Sequence, residues 1–178
     1  MKITVTIARS YGSGGKEIGK ELANALDAKY YGREILEILR GEKTYDGDDE
    51  SISTLDEATK LFEEQSQLIR DIAEKESCVI VGRCADYVLR DKDNIVRIYL
   101  YAPLRDCVKR VSRLYELNPD EAKNLVHSMN KTRGDYYEHS TGRKWSDPAN
   151  YDLCLNTAGL TTEQCIDIIK KYIDTKHD

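Results

Sequence analysis

The residues best suited to chemistry in this sequence are Gly12, Ser13, Gly14, Gly15 and Lys16, in unbroken order. Glycines let consecutive backbone N–H groups curl around an anion, and a helix that follows adds positive potential at its N-terminus. Lys16 supplies a full charge on a flexible stem, with Glu17 next to it. The chemistry implied is capture of a phosphate group. The turn departs from the Walker pattern G-x-x-x-x-G-K-[ST]: Ser10 stands at its first glycine and Glu17 at its Ser/Thr. A second register through Gly14 and Gly19-Lys20 puts its lysine a full turn inside the helix and is rejected on geometry. An ordinary glycine-rich strand-to-helix connection is the plainer alternative, but three glycines and a lysine favour the anion site over it.

The turn needs a strand before it and a helix after it. Lys2 to Ala8 alternates and is rich in β-branched residues, which predicts a strand. Ile18, Leu22, Ala23, Ala25 and Leu26 recur at three- and four-residue spacing, the apolar face of a helix. Lys29-Tyr30-Tyr31 is a short strand, followed by a helix over Arg33 to Arg40. Residues 41–53 turn polar and acidic and read as a solvated loop; the spacing of Asp46, Asp48, Asp49 and Glu50 does not fit an EF-hand. Thr54 with Glu57 is a capping box opening a long helix. Cys78 to Val81 and Ile95 to Tyr101 are further strands, and Leu104 starts a helix reaching about Leu117. Asn118-Pro119 caps another helix, Tyr151 to Asn156 is the last strand, and Thr161 with Gln164 caps the closing helix.

This alternation specifies an α/β fold in a single domain over 1–178: about five parallel strands with right-handed crossovers and helices on both faces. Ligands of such sheets bind beyond the carboxyl ends of the strands. Four such ends matter: Ala8-Arg9, Tyr31-Gly32-Arg33, Val81-Gly82-Arg83 and Tyr101-Ala102-Pro103. Arg33 and Arg83 are therefore candidates for anion binding. Lys109, Arg110, Arg113, Lys131, Arg133, Arg143 and Lys144 cluster later in the chain. Singly such side chains face solvent; together they suggest a positively charged lid. Phosphoryl transfer calls for this arrangement, because its rate comes from aligning donor and acceptor and from cations around the equatorial oxygens.

A net charge of −5 argues against general affinity for nucleic acid or an acidic membrane. No apolar run approaches the roughly 20 residues of a membrane span. The chain enters a strand directly, without a signal-peptide pattern, so a cytoplasmic location is expected. Five cysteines without a CxxC pair suit reduced thiols, and three scattered histidines do not make a zinc site. No pattern in the chain fixes an oligomeric state.

Taken together, Arg9-Ser10-Tyr11-Gly12-Ser13-Gly14-Gly15-Lys16-Glu17-Ile18, Val79-Ile80-Val81-Gly82-Arg83, Lys131-Thr132-Arg133 with Tyr136-Tyr137, and Tyr151 to Thr157 resemble the cytidylate kinase-like family, a branch of the P-loop nucleoside monophosphate kinases. The resemblance spans nearly the whole chain. It implies a three-layer P-loop NTPase fold with an acidic monophosphate-side insert at about 41–76 and a mobile lid at about 128–149. It implies ATP as donor, Mg2+, and a nucleoside monophosphate, CMP or dCMP, as acceptor. Lys16 and the amides of Ser13 to Gly15, with Gly12 and Glu17 in the same loop, would hold the donor phosphates. Arg83 matches an arginine that contacts the acceptor, joined on the acceptor side by Arg33. Lys131 and Arg133 fall in the lid stretch that neutralises the transferring phosphate, and Arg110 and Arg113 lie near an arginine entering the lid.

The chain also departs from standard cytidylate kinases. Glu17 replaces the metal-ligating Ser/Thr, Val81 and Cys84 stand where they carry Asp, and Tyr31-Gly32-Arg33 replaces Asp-Ser-Gly. The metal ligands are therefore open, and a Mg2+ would be held mainly through water and substrate phosphates. Asp86 reads as a surface carboxylate, with a substitute ligand as the alternative. Tyr136, Tyr137 and Trp145 suit packing of a flap onto the core, with base stacking as the alternative. Nucleotide binding without catalysis, or a different small phosphoacceptor, also fits the sequence.

Overall fold

Thr4–Arg9 (β1), Lys29–Tyr31 (β2), Cys78–Val81 (β3), Ile95–Tyr101 (β4) and Leu153–Asn156 (β5) form one parallel sheet in the order β2-β3-β1-β4-β5. The computed structural model describes residues 2–33, 35 and 55–177. The expected helix beyond Arg33, the acidic stretch 41–53 and the Thr54–Glu57 capping box lie outside the described residues and side chains. The described helices are Gly15–Ala25 (α1), Leu55–Lys75 (α2), the single turn Ala85–Val88 (α3), Leu104–Tyr115 (α4), Pro119–Thr141 (α5) and Thr162–His177 (α6).

The composition of β1 dictates its central place. Thr4, Val5, Thr6, Ile7 and Ala8 are all buried, so both faces of the strand are covered, as a parallel strand between helical layers requires. Val5 and Ile7 share a face with Val79, Val81, Val96, Ile98 and Leu100, and this face packs on Ile18 and Leu22 of α1 and Ile169 of α6. Each such side chain, fully buried, contributes about 1.5–3 kcal/mol. Cys78, Ile80 and Ile95 point the other way, into a second core with Ile69 and Ile72 of α2 and Val88 of α3. Ala25, expected on the inward stripe of α1, is exposed.

Local chemistry sets the remaining boundaries. Asn118 and Glu121 form the reciprocal capping box that opens α5, with Pro119 at its first position. α4 ends at Tyr115 rather than Leu117 because Glu116 turns left-handed, at φ 55°. The last strand begins at Leu153 rather than Tyr151. The Arg97 amide is taken by the Asp152 carboxylate at 2.7 Å, and Asp152 N–H returns a bond to Arg97 O at 2.8 Å. No break sets the expected lid apart from the chain before it: α5 runs unbroken to Thr141, where left-handed Gly142 ends it. Among the described residues, no helix is long and apolar enough to cross a membrane.

Candidate active site

The glycine turn follows β1 at the middle of the sheet. Gly12 and Gly14 have φ of 84° and 85°, a left-handed conformation that costs other residues roughly 1–2 kcal/mol. Gly14 caps α1 without a side-chain hydrogen bond, so the first-turn amides of that helix are available to an anion. The loop is braced from behind. Ser13 Oγ donates to Ser10 O at 2.7 Å, and buried Thr157, just past β5, donates its hydroxyl to Ser13 O at 2.8 Å. The guanidinium of Arg110 on α4 lies over Gly14, where a Cβ would collide with it.

A second unusual turn follows β3. Gly82, Arg83 and Cys84 are left-handed in succession, at φ 78°, 58° and 52°. Two of these are not glycine, so the turn stores backbone strain of the kind that collects at functional sites. Gly82 N–H is tied to Ile7 O at 2.9 Å, which holds the turn against β1 beside the glycine loop.

α5 closes the third side. Asn130 Oδ1 accepts from the Tyr11 amide at 2.7 Å, and the Arg133 guanidinium sits 5.0 Å over the Tyr11 ring. Gln65 of α2 donates to the Tyr136 hydroxyl at 3.3 Å. Tyr137 donates its hydroxyl to Asp86 Oδ2 at 2.6 Å. Asp86 is 6% exposed, so the expectation of a surface carboxylate is overturned: α5 and α3 bury it between them. Burial pushes its carboxyl above the ordinary aspartate range, and the Tyr137 hydrogen bond offsets part of that rise. Trp145 packs edge-on against Tyr99, centroids 5.8 Å apart. Tyr137 is buried, and Tyr136, Tyr137 and Trp145 all stand on the wall of one cavity.

These walls enclose a cavity of about 750 Å3, within the range of small-molecule sites. From the donor-side set, Gly12, Gly14, Gly15, Lys16 and Glu17 line it. So do Arg33, Arg83, Arg110 and Arg133. Three residues expected at the site stand elsewhere. Ser13 is wholly buried behind the loop, with its amide 3.3 Å from Ser10 O. Arg113 is exposed on α4, off the cavity wall. Lys131 is exposed on α5 and paired with Asp135 one turn on, beside a separate depression of about 500 Å3. Lys131 and Arg133 are two residues apart, and on a helix such neighbours face different directions. The wall also carries Arg9 and Lys20, to which the sequence gives no role at this site, and Asp86, whose alternative reading there is a substitute metal ligand.

Among the described residues, no three His, Cys, Asp or Glu side chains gather where they could hold a metal ion. The carboxylates on the wall are Glu17, whose Oε1 accepts from Thr162 at 3.0 Å, and Asp86. Such a sparse donor set fits a magnesium ion that arrives on phosphates and keeps most of its waters.

Comparison with known proteins agrees with this architecture. The model of the cytidylate kinase-like family matches residues 4–159. The chain is 28% identical to a cytidylate kinase of Thermococcus kodakarensis over 179 residues, covering 97% of this chain and 88% of that protein. It is 24% identical to a cytidylate kinase of Methanopyrus kandleri over 190 residues, covering 98% and 94%. Among solved structures, an uncharacterized protein from Eubacterium ventriosum superposes with a TM-score of 0.82 at 31% identity, covering 98% of this chain and 99% of that one. Shikimate kinase from Acinetobacter baumannii superposes at 0.62 with 14% identity, covering 98% and 94%, a likeness of fold alone. A left-handed glycine turn feeding a central helix, a basic cavity at the strand ends and a family match over most of the chain lead to one assignment: the chain belongs to the cytidylate kinase-like family.

Proposed function

We propose that this protein is an ATP-dependent nucleoside monophosphate kinase, with CMP or dCMP as acceptor. The observation that carries the reading is the convergence of the glycine turn, Lys16, Arg83, Arg110 and Arg133 on one cavity at the carboxyl ends of β1 and β3. The amides of Gly14 and Gly15 and the Lys16 ammonium hold the donor phosphates. Arg83 and Arg33 anchor the acceptor phosphate, so that its oxygen lines up with the donor's terminal phosphorus. Arg133, and Arg110 over Gly14, spread positive charge around the group in flight. Glu17, on the cavity wall, would hold a magnesium ion brought on the phosphates through its waters, and the ion would supply further neutralisation of the same oxygens. Segment 128–149 closes over the bound nucleotides, and Lys131 joins the site only in that closed form.

Binding of nucleotide without transfer is the second reading. It is favoured by Glu17 standing at the Walker Ser/Thr position with its carboxylate against Thr162. A coupled ADP-release assay with CMP, dCMP, UMP, AMP and GMP separates the two. Acceptor-dependent ADP release, greatest with CMP or dCMP, is the expected result. Binding by calorimetry without turnover on any acceptor selects the second reading.

A further inference from the structure

Arg9 has no part in the scheme above, yet it lies where the two halves of the cavity meet. It ends the central strand β1, is half-buried, and lines the cavity. A Cβ added to Gly15 would stand 2.6 Å from both Cβ and Cγ of Arg9. A Cβ added to Gly82 would stand 2.6 Å from Arg9 Nη1. Two glycines on different loops thus leave room for the same side chain. Its stem lies on the opening turn of α1, and its guanidinium lies against the left-handed turn that carries Arg83. Its carbonyl oxygen accepts from Arg133 Nη1 at 3.3 Å, so the strand end is also tied to α5.

We infer that Arg9 is a further phosphate-binding residue of this site, with its guanidinium placed between the donor and acceptor phosphates. The inference deepens the kinase reading and rests on it. Arg9, Lys16, Arg83 and Arg133 line one concavity, where a polyanion meets several cationic side chains at once. A guanidinium offers a planar fork that bonds two oxygens at once, including oxygens of two different phosphates; an ammonium is a single point charge. In transfer, charge spreads over the equatorial oxygens of the moving phosphoryl, and a donor already in place between the two partners stabilises that state most.

Two variants test this. Arg9→Met keeps an unbranched stem against Gly15 and removes the guanidinium; Arg9→Lys keeps the charge and loses the fork. Calorimetry with inorganic tripolyphosphate reads the anion contact alone. Expected is a loss of ~10-fold or more in affinity for Arg9→Met, the scale of one charge-assisted hydrogen bond, with Arg9→Lys in between and both melting temperatures close to wild type. With the wild type turning over its acceptor, Arg9→Met lowers kcat by ~10²-fold or more while KM for ATP moves far less, and free guanidinium restores part of the lost kcat. Unchanged tripolyphosphate affinity in Arg9→Met overturns the inference, as does a wild type that binds no tripolyphosphate. Weakened binding with kcat untouched overturns the placement between the phosphates. A wild type that turns over no acceptor but binds tripolyphosphate through Arg9 sinks the kinase reading and upholds the anion contact. Should Arg9→Met not fold, Arg9→Lys carries the test, and wild-type affinity and kcat in that variant overturn the inference.

Discussion

Tyr137 of α5 donates a 2.6 Å hydrogen bond to Asp86 of α3, and both are buried at the edge of the basic cavity. This pair joins the helix above the glycine turn to the strained turn that presents Arg83. Tyr137→Phe leaves a buried carboxylate without that donor and lowers stability by about 1–3 kcal/mol. Asp86→Asn keeps an acceptor and removes the charge. Because burial raises the folded-state pKa of Asp86, the folded protein holds that proton longer than the unfolded chain, and stability falls as pH rises through the interval above the ordinary aspartate range. Thermal melts from acidic to mildly alkaline pH check this. Asn at position 86 is expected to gain on wild type as pH rises, and a gap independent of pH contradicts the assignment.

Lys16 is exposed at the start of α1 and lines the cavity, so removing it leaves the core untouched. Lys16→Ala is expected to lose nearly all turnover while circular dichroism and melting temperature stay at wild-type values. A variant that retains turnover removes Lys16 from the donor site.

Arg83 combines a left-handed backbone with a side chain in the cavity, and one substitution separates the two. Glycine relieves a conformational cost of roughly 1–2 kcal/mol and adds back about 0.5–1 kcal/mol of unfolded-state entropy, so Arg83→Gly stays within about 1 kcal/mol of wild-type stability. Its acceptor KM is expected to rise by ~10-fold or more, the loss of one charge-assisted contact. Denaturant titration and initial-rate kinetics read the two effects independently. A stable variant with unchanged acceptor KM contradicts the acceptor role.

Segment 128–149 begins inside α5 and continues through the turn at Gly142 to Trp145 and beyond. If it closes over ligand, amide exchange there slows when ATP and CMP are both present, and less with either alone. Exchange indifferent to the pair of ligands rules out closure by this segment.

Much of this arrangement is written in local patterns. Alternating β-branched residues mark β1, a continuous apolar run marks β3, the apolar stripe of α1 follows Ile18 and Leu22, and Asn118-Pro119 states where α5 begins. The glycine turn is legible because its residue types have few other uses. Asp86 is not: its burial depends on Tyr137, 51 positions away, and spacing carries no record of that contact. The same holds for Lys131 and Arg133. In the sequence they form one basic cluster, but in the helix one pairs with Asp135 and the other reaches Arg9 O and the Tyr11 ring. Arg9 stood at a recognised strand end, but only the folded chain brings Gly15 and Gly82 against its side chain.

The most direct measurement follows the phosphoryl group itself. Protein supplied with CMP and ATP labelled at the terminal phosphate is expected to place the label in the β-position of newly formed CDP, and to stop doing so when Lys16 is alanine. Label appearing in free phosphate, or staying in ATP, with CMP and every other nucleoside monophosphate contradicts the account.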